Sequence, residues 1–165
     1  MLTGLLFILC FAAEGFTVYL FRALVLTCFL IVITIIDYDY QFIFDKVLVW
    51  LAIVGLTINL YIGKIGLLDM FSAGLFGGGL FLLIALISKG GFGGGDIKFM
   101  AALGLWIGMK HILLTMVLTF LIGGLVAAVL LLTKVRNRKD NIAYGPSIAL
   151  AAFLTLLYGE KLLCR

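Results

Sequence analysis

Long apolar runs separated by short polar segments occupy almost the whole of this 165-residue chain. Hydrophobic residues make up 65% of the sequence and charged residues 12%, against roughly half and roughly a quarter in soluble domains. With a mean hydropathy of +1.30, the chain is predicted to be an integral membrane protein. Its 20 glycines and single proline favour closely packed helices over a barrel, whose strands would alternate apolar and polar side chains. We therefore expect an all-α, polytopic membrane helix bundle.

The apolar runs predict about six or seven transmembrane segments within a single domain at residues 1–165. A complete crossing needs about 20 apolar residues, so the first and fifth runs are short for one. No internal repeat or soluble domain is visible in the sequence. The runs lie at residues 2–13, 16–36, 46–62, 67–88, 97–108, 110–133 and 143–159.

The loops between these runs predict an orientation. If every run crosses, the loops at 37–45, 89–96 and 134–142 share one side, which carries the basic cluster KVRNRKD at 134–140. Cytoplasmic loops of membrane proteins are enriched in lysine and arginine, so this side is expected to be cytoplasmic in the cell inner (plasma) membrane. We interpret the cluster as a solvated loop that sets topology, and we expect no nucleic-acid partner.

Four of the eight acidic residues fall in the loops at 37–45 and 89–96 on this side, and two of them border the apolar runs. Asp37 directly follows CFLIVITII, and Asp96 directly precedes IKFMAALGLWIG, so an ionised carboxylate at either position is costly. Two carboxylates held close together favour one proton between them, and one then acts as base while the other acts as acid. Aspartic proteolysis needs such a pair, because the base activates a water and the acid protonates the leaving amine.

The remaining residues offer no comparable set. His111, the only histidine, is predicted on the opposite side, so serine or cysteine nucleophiles lack a base. Cys10, Cys28 and Cys164 form no Cys-x-x-Cys pair. We expect neither a metal site nor a cofactor.

The glycines before Asp96 allow two interpretations. Gly93, Gly94 and Gly95 lack a β-carbon, so the chain can turn tightly and a substrate backbone can come close to Asp96. The N-terminus of the following helix can also stabilise negative charge on Asp96 or on an oxyanion. Alternatively, the glycines are a flexible linker and Asp96 is an ordinary helix N-cap. The residues alone leave both interpretations open.

Three motifs resemble those of one family, the type IV prepilin peptidases. GGGDIKFMAALGLWIG at 93–108 is similar to that family's Gly-x-Gly-Asp motif, and IDYDYQFIFD at 36–45 is similar to its first aspartate motif. IAYGPSIALAAF at 142–153 resembles the segment that opens the family's last helix. Three motifs in the family's order, over most of the chain, are a specific signal.

The resemblance implies an activity and a site. The family are membrane-embedded aspartic endopeptidases that remove a short basic leader from prepilins and pseudopilins at the cytoplasmic face. The implied catalytic pair is Asp37 and Asp96, and the implied partners are such a substrate and the lipid bilayer. Acidic residues near the first aspartate would attract the basic leader. The residues expected to bind substrate are Asp39, Asp45, Gly93, Gly94, Gly95 and Lys98.

The chain departs from the common bacterial pattern in two respects. Phe44 stands where proline is usual before Asp45, which predicts a different local turn. The common enzyme also has an N-terminal domain with two Cys-x-x-Cys pairs, and it N-methylates its product with S-adenosylmethionine. The resemblance therefore implies cleavage without methylation, unless another protein supplies that step or the chain is part of a longer enzyme.

The stretch SAGLFGGG at 72–79 bears on how a substrate would be held. A pilin leader precedes an apolar helix, which small residues on the enzyme could admit between its own helices. Ordinary packing of these glycines against the protein's own helices is the favoured interpretation.

Other functions remain as alternatives. A proton- or cation-coupled transporter would use intramembrane aspartates as coupling sites, and it would show inverted repeats with interrupted helices. A membrane glycosyltransferase would chelate a divalent metal with Asp37 and Asp39. Presenilin-like proteases share Gly-x-Gly-Asp, but this chain is short for them and lacks their Pro-Ala-Leu signature. Archaeal preflagellin peptidases are nearer and differ mainly in substrate.

Overall fold

The computed structural model of the protein describes residues 2–63, 65–88, 93–132 and 144–163. All regular structure in these ranges is helical, which confirms the all-α expectation. The basic cluster at 134–140 lies outside the described residues. The helices are α1 (Leu2–Glu14), α2 (Val18–Tyr40), α3 (Asp45–Ile62), α4 (Leu67–Ile87), α5 (Gly94–Leu132) and α6 (Gly145–Leu163).

These helices confirm a polytopic membrane bundle. Within the described ranges, α2, α3, α4 and α5 are long and apolar enough to cross a membrane. The apolar parts of α1 and α6 are shorter, so the count of six or seven crossings stays a prediction.

The fifth and sixth apolar runs form one helical element, α5, which reverses direction at Gly108. This residue has φ 76° and ψ 174°, a conformation that essentially only glycine adopts. A β-carbon on Gly77 of α4 would lie 3.1 Å from the Met100 carbonyl oxygen and 3.2 Å from Ile112, on either side of the reversal. Further along α4, Phe81 stacks on Phe120 at 5.5 Å. The two arms of α5, residues 94–107 and 109–132, therefore run antiparallel alongside α4.

The small residues of α4 let the first arm of α5 approach closely. A β-carbon on Gly78 would lie 2.9 Å from that of Ala101, and one on Gly104 would lie 2.5 Å from the backbone of Ala73. Packing against the protein's own helices is thus confirmed for much of the stretch at 72–79. Gly79 differs, because a β-carbon there would meet no atom within 4 Å.

A buried polar cluster anchors the first arm at the Gly108 end. The last four carbonyl groups of a helix have no partner within it, and the reversal leaves those of Leu105 and Trp106 in this condition. The Asn59 side chain donates to both carbonyl oxygens at 2.9 Å, and Arg22 also donates to that of Trp106. The Trp106 indole donates to the Leu51 carbonyl at 2.6 Å. These bonds tie α2, α3 and α5 together, and they hold the first arm in place.

Candidate active site

The structure brings Asp37 and Asp96 together at the other end of the bundle. Asp37 lies in the last turn of α2, and Asp96 lies in the first turn of α5. Their exposed fractions are 5% and 7%, and both line one cavity of about 210 Å³. The loop between α2 and α3 and the glycines at 93–95 complete the lining. Two carboxylates facing so small a space favour a state in which they hold one proton between them.

Asp37 is held by the start of α6. Its Oδ2 accepts a hydrogen bond from the Gly145 backbone N–H at 2.8 Å. Negative charge is unfavourable at the C-terminal end of α2 and favourable at the N-terminal end of α6, so this contact offsets the position of Asp37 on its own helix. A β-carbon at Gly145 would collide with the Asp37 carboxylate. Glycine at 145 is therefore a steric requirement of the site.

Gly145 was missed as a site residue by the sequence reasoning. The segment Tyr144–Gly145–Pro146 was noted only as the opening of a helix. A proline in a first helical turn marks a helix N-terminus, and the loop order placed that terminus on the side of Asp37 and Asp96. Together these two facts could have placed the start of α6 near the aspartates. The contact itself joins residues 108 positions apart.

Asp96 takes part in capping α5 but is not its N-cap. Gly93 precedes the helix, and Asp96 is the third helical residue, reaching back so that its Oδ2 accepts from the Gly93 N–H at 3.1 Å. This is the second half of a capping box. The same carboxylate faces the cavity it shares with Asp37. The alternative of an ordinary N-cap at Asp96 is therefore wrong, and one side chain both caps α5 and lines the cavity.

The three glycines before Asp96 differ in what surrounds them. Gly93 supplies the N–H just described, and a β-carbon on Gly95 would lie 3.0 Å from Ile43 in the α2–α3 loop. Gly95 thus lets that loop close one side of the cavity. A β-carbon on Gly94 would meet no atom within 4 Å, so the space beside this residue is open. All three line the cavity, and substrate binding by them stays a prediction.

Asp45 and Lys98 form an ion pair at the rim. Their Oδ2 and Nζ atoms are 2.7 Å apart, and the side chains are 61% and 57% exposed. Solvent screens such a pair, which therefore contributes little to stability. Both residues line the cavity, and substrate binding by them stays a prediction.

Asp39 is the one candidate that does not line this cavity. It is exposed, whereas Asp37 is buried against Gly145. Asp37 lines the cavity and Asp39 does not, so the arrangement does not support a metal-chelating pair. In the part of the chain that the structure describes, no three histidine, cysteine, aspartate or glutamate side chains are grouped for a metal.

Phe44 has a backbone conformation that a proline could also adopt. Its φ is −68° and its ψ is 124°, and the φ value is the one to which a proline ring is fixed. The following residue, Asp45, begins α3. A local turn that differs from that of the family therefore stays a prediction.

His111 lies away from the aspartates. It lines a separate cavity of about 430 Å³ with Glu14, Arg22 and Asp69. A β-carbon on Gly159, near the end of α6, would lie 2.5 Å from its ring. Because α6 begins beside Asp37, His111 lies at the opposite end of the bundle, as predicted. It cannot act as a base at the aspartate cavity.

Fold and site define a polytopic helical membrane protein with two buried carboxylates meeting at one end of the bundle. The sequence model of the type IV leader peptidase family matches residues 24–128, a range that includes both aspartates. The chain therefore belongs to the type IV leader peptidase family. The resemblance seen in the three motifs is confirmed.

Curated relatives support the same assignment. The chain is 32% identical to a protein of Xanthomonas campestris pathovar campestris, over 94% of this chain and 57% of the relative. It is 33% identical to one of Bacillus subtilis, over 90% and 60%, and 34% identical to one of Neisseria gonorrhoeae, over 93% and 54%. Each is named prepilin leader peptidase/N-methyltransferase. The chain spans between half and two thirds of the length of these relatives. No solved structure matches it.

Proposed function

We propose that this chain is an aspartic endopeptidase that removes the basic leader from prepilins or pseudopilins. The observation that carries the proposal is the shared cavity of Asp37 and Asp96, two buried carboxylates from different helices, in a chain of the leader peptidase family. The proposal concerns leader cleavage, one of the two activities that the names of the relatives give.

The pair performs the hydrolysis by general acid and base catalysis. The ionised carboxylate takes a proton from a water molecule, and the water oxygen attacks the scissile carbonyl carbon. The protonated carboxyl then gives its proton to the amide nitrogen as the carbon–nitrogen bond breaks. The products are a leader with a new carboxylate and a shortened protein with a new N-terminal amine.

The cavity's surroundings suit this chemistry. The N-terminus of α5 lines the cavity and that of α6 contacts Asp37, so the partial positive charge of both stabilises negative charge in the transition state. The open space beside Gly94 leaves room for an extended substrate backbone. Asp39 and Asp45 are exposed near the entrance and would attract the basic residues of a leader.

The cavity faces the cytoplasm in this proposal. The basic cluster at 134–140 follows the second arm of α5, which runs towards the same end of the bundle as Asp96, and positive residues favour the cytoplasmic side. A substituted cysteine at Asp39, in a variant without the natural cysteines, tests this in intact cells. We expect labelling by a membrane-impermeant maleimide only after the cells are opened. Labelling in intact cells would place the cavity on the outer side.

Cleavage by the purified protein tests the activity. The protein in detergent is incubated with a full-length prepilin, and the gel shift and new N-terminus are followed by electrophoresis and mass spectrometry. We expect cleavage by the unaltered chain and none by Asp37→Asn or Asp96→Asn. Asp69→Asn, the same change at the opposite end, is the matched control and retains activity. Full activity of both site variants would show that the pair does not carry the reaction.

A further inference from the structure

An apolar groove of about 710 Å³ runs between α3 and α4, with the first arm of α5 as its floor. Both α3 and α4 pack extensively against α5, but among the described residues they do not pack extensively against each other. The groove is therefore open along one side of the bundle. Its wall on α3 includes Leu48 and Val49, and Ala101 lies on its floor.

This groove adjoins the aspartate cavity. Asp45 and Lys98 line both, so their ion pair stands at the boundary between the two spaces. Since both side chains are more than half exposed, the pair is screened by solvent and is easily displaced. A chain lying in the groove would reach the aspartate cavity past this pair.

Gly79 indicates what kind of molecule the groove accepts. It lies in the interior of α4 and lines the groove, where glycine destabilises a helix relative to alanine. Gly78 is needed for the contact with Ala101, but a β-carbon on Gly79 would meet no atom of this protein. An additional helix packs closely against small residues, whereas a lipid acyl chain has no need of them.

We propose that this groove binds the apolar segment that directly follows the cleavage junction of the substrate, as a helix lying along α4. The inference rests on the proposed function and adds to it where the substrate is held. From Lys98 to Leu105 the floor is about 10 Å long, which corresponds to about two helical turns. A helix seated there directs its junction past Asp45 and Lys98 towards Asp37 and Asp96, and the basic leader continues into water.

Gly79→Leu tests the groove, because a β-carbon at this position would meet no atom of the protein and Gly79 lines the groove. Gly124→Leu is the matched control: Gly124 is also a helical glycine whose β-carbon would meet nothing, but it lies on the second arm of α5 outside the groove. Each variant is assayed with a full-length prepilin and with a short peptide that spans the junction and lacks the apolar segment.

The measured quantity is kcat/KM for the prepilin divided by kcat/KM for the peptide. We expect Gly79→Leu to lower this ratio at least about tenfold, mainly through a higher KM for prepilin, because it removes binding far from the reacting atoms. Gly124→Leu should leave the ratio within about twofold. An unchanged ratio in Gly79→Leu overturns the groove while the peptidase function stands. If the unaltered chain cleaves neither substrate, the proposed function itself fails.

Photo-crosslinking provides a second measurement that does not depend on turnover. A benzophenone amino acid replaces Leu75, which is 80% exposed and lines the groove, or Leu125, which is 67% exposed on the second arm of α5. Both variants carry Asp96→Asn, so that the prepilin is bound without being cut. We expect a crosslink from position 75 to the apolar segment and none from position 125. Equal crosslinking at both positions, or crosslinks from position 75 to lipid only, would contradict the proposal.

Discussion

The first arm of α5 is held in opposite ways at its two ends. At the Gly108 end, the buried Asn59 and Arg22 side chains satisfy its last carbonyl groups, and Trp106 is fully buried. At the other end, Asp96 faces a cavity, the space beside Gly94 is open, and the nearby ion pair is exposed to solvent. The bonds at the Gly108 end, the bonded end, fix the direction of the helix. The Asp96 end, the open end, can therefore present its carboxylate to the cavity. Changes at the two ends should therefore separate stability from activity.

The largest effect on activity is expected from the open end. Replacing Asp96 by asparagine keeps the size of the side chain and an oxygen that can accept from Gly93, but removes the acid or base. We expect prepilin cleavage to fall by about 10²- to 10⁴-fold or more, with the melting temperature in detergent nearly unchanged. Cleavage rate and thermal unfolding are measured on the same preparation. A large fall in melting temperature would mean that Asp96 is chiefly structural.

A change at Gly145 tests whether activity depends on the position of Asp37, and it leaves both carboxylates present. Gly145→Ala places a methyl group against the Asp37 carboxylate and should displace it, lowering kcat by roughly 10- to 100-fold. Gly66→Ala is the matched control, since Gly66 also precedes or begins a helix but a β-carbon there meets no atom. Equal rates for the two variants would show that the position of Asp37 tolerates this contact.

A change at the bonded end, near Gly108, should lower stability and leave activity nearly unchanged. Asn59→Leu keeps a similar volume but leaves the carbonyl of Leu105 without its partner, and we expect a loss of roughly 1–3 kcal/mol of stability. The kcat of the protein that remains folded should change by less than about threefold. Thermal unfolding in detergent and cleavage rate per folded molecule distinguish these quantities. If Asn59→Leu were stable but inactive, the proposal that one end of the first arm sets stability and the other sets activity would be contradicted.

The smallest effect is expected at the exposed acids. Asp45→Asn and Asp39→Asn should each raise KM for prepilin by roughly two- to fivefold at low salt, because exposed charges act weakly on a basic leader. The difference should disappear at about 0.5 M salt, where charges are screened. KM is measured at both salt concentrations. A difference that persists in high salt would indicate direct contact rather than long-range attraction.

Much of the site was predictable because its residues lie at the ends of apolar runs. Asp37 and Asp96 were placed on one side by counting crossings, and both line one cavity. The sequence left open whether Asp96 caps α5 or belongs to a site, because it locates helix boundaries only to within a few residues. Gly145 was missed because its importance comes from a collision with Asp37, a contact between distant segments.

The sequence by itself determined the class of structure, the order of the apolar segments and the placement of the two aspartates at one shared end of the bundle. Hydropathy and the order of the loops can be read directly along the chain. The tertiary structure alone decided that α5 folds back at Gly108, that α6 donates to Asp37, and that α3 and α4 leave a groove beside the aspartate cavity. These features depend on which helix faces meet. Close packing between segments far apart in the chain leaves no pattern in the local sequence from which it could be predicted.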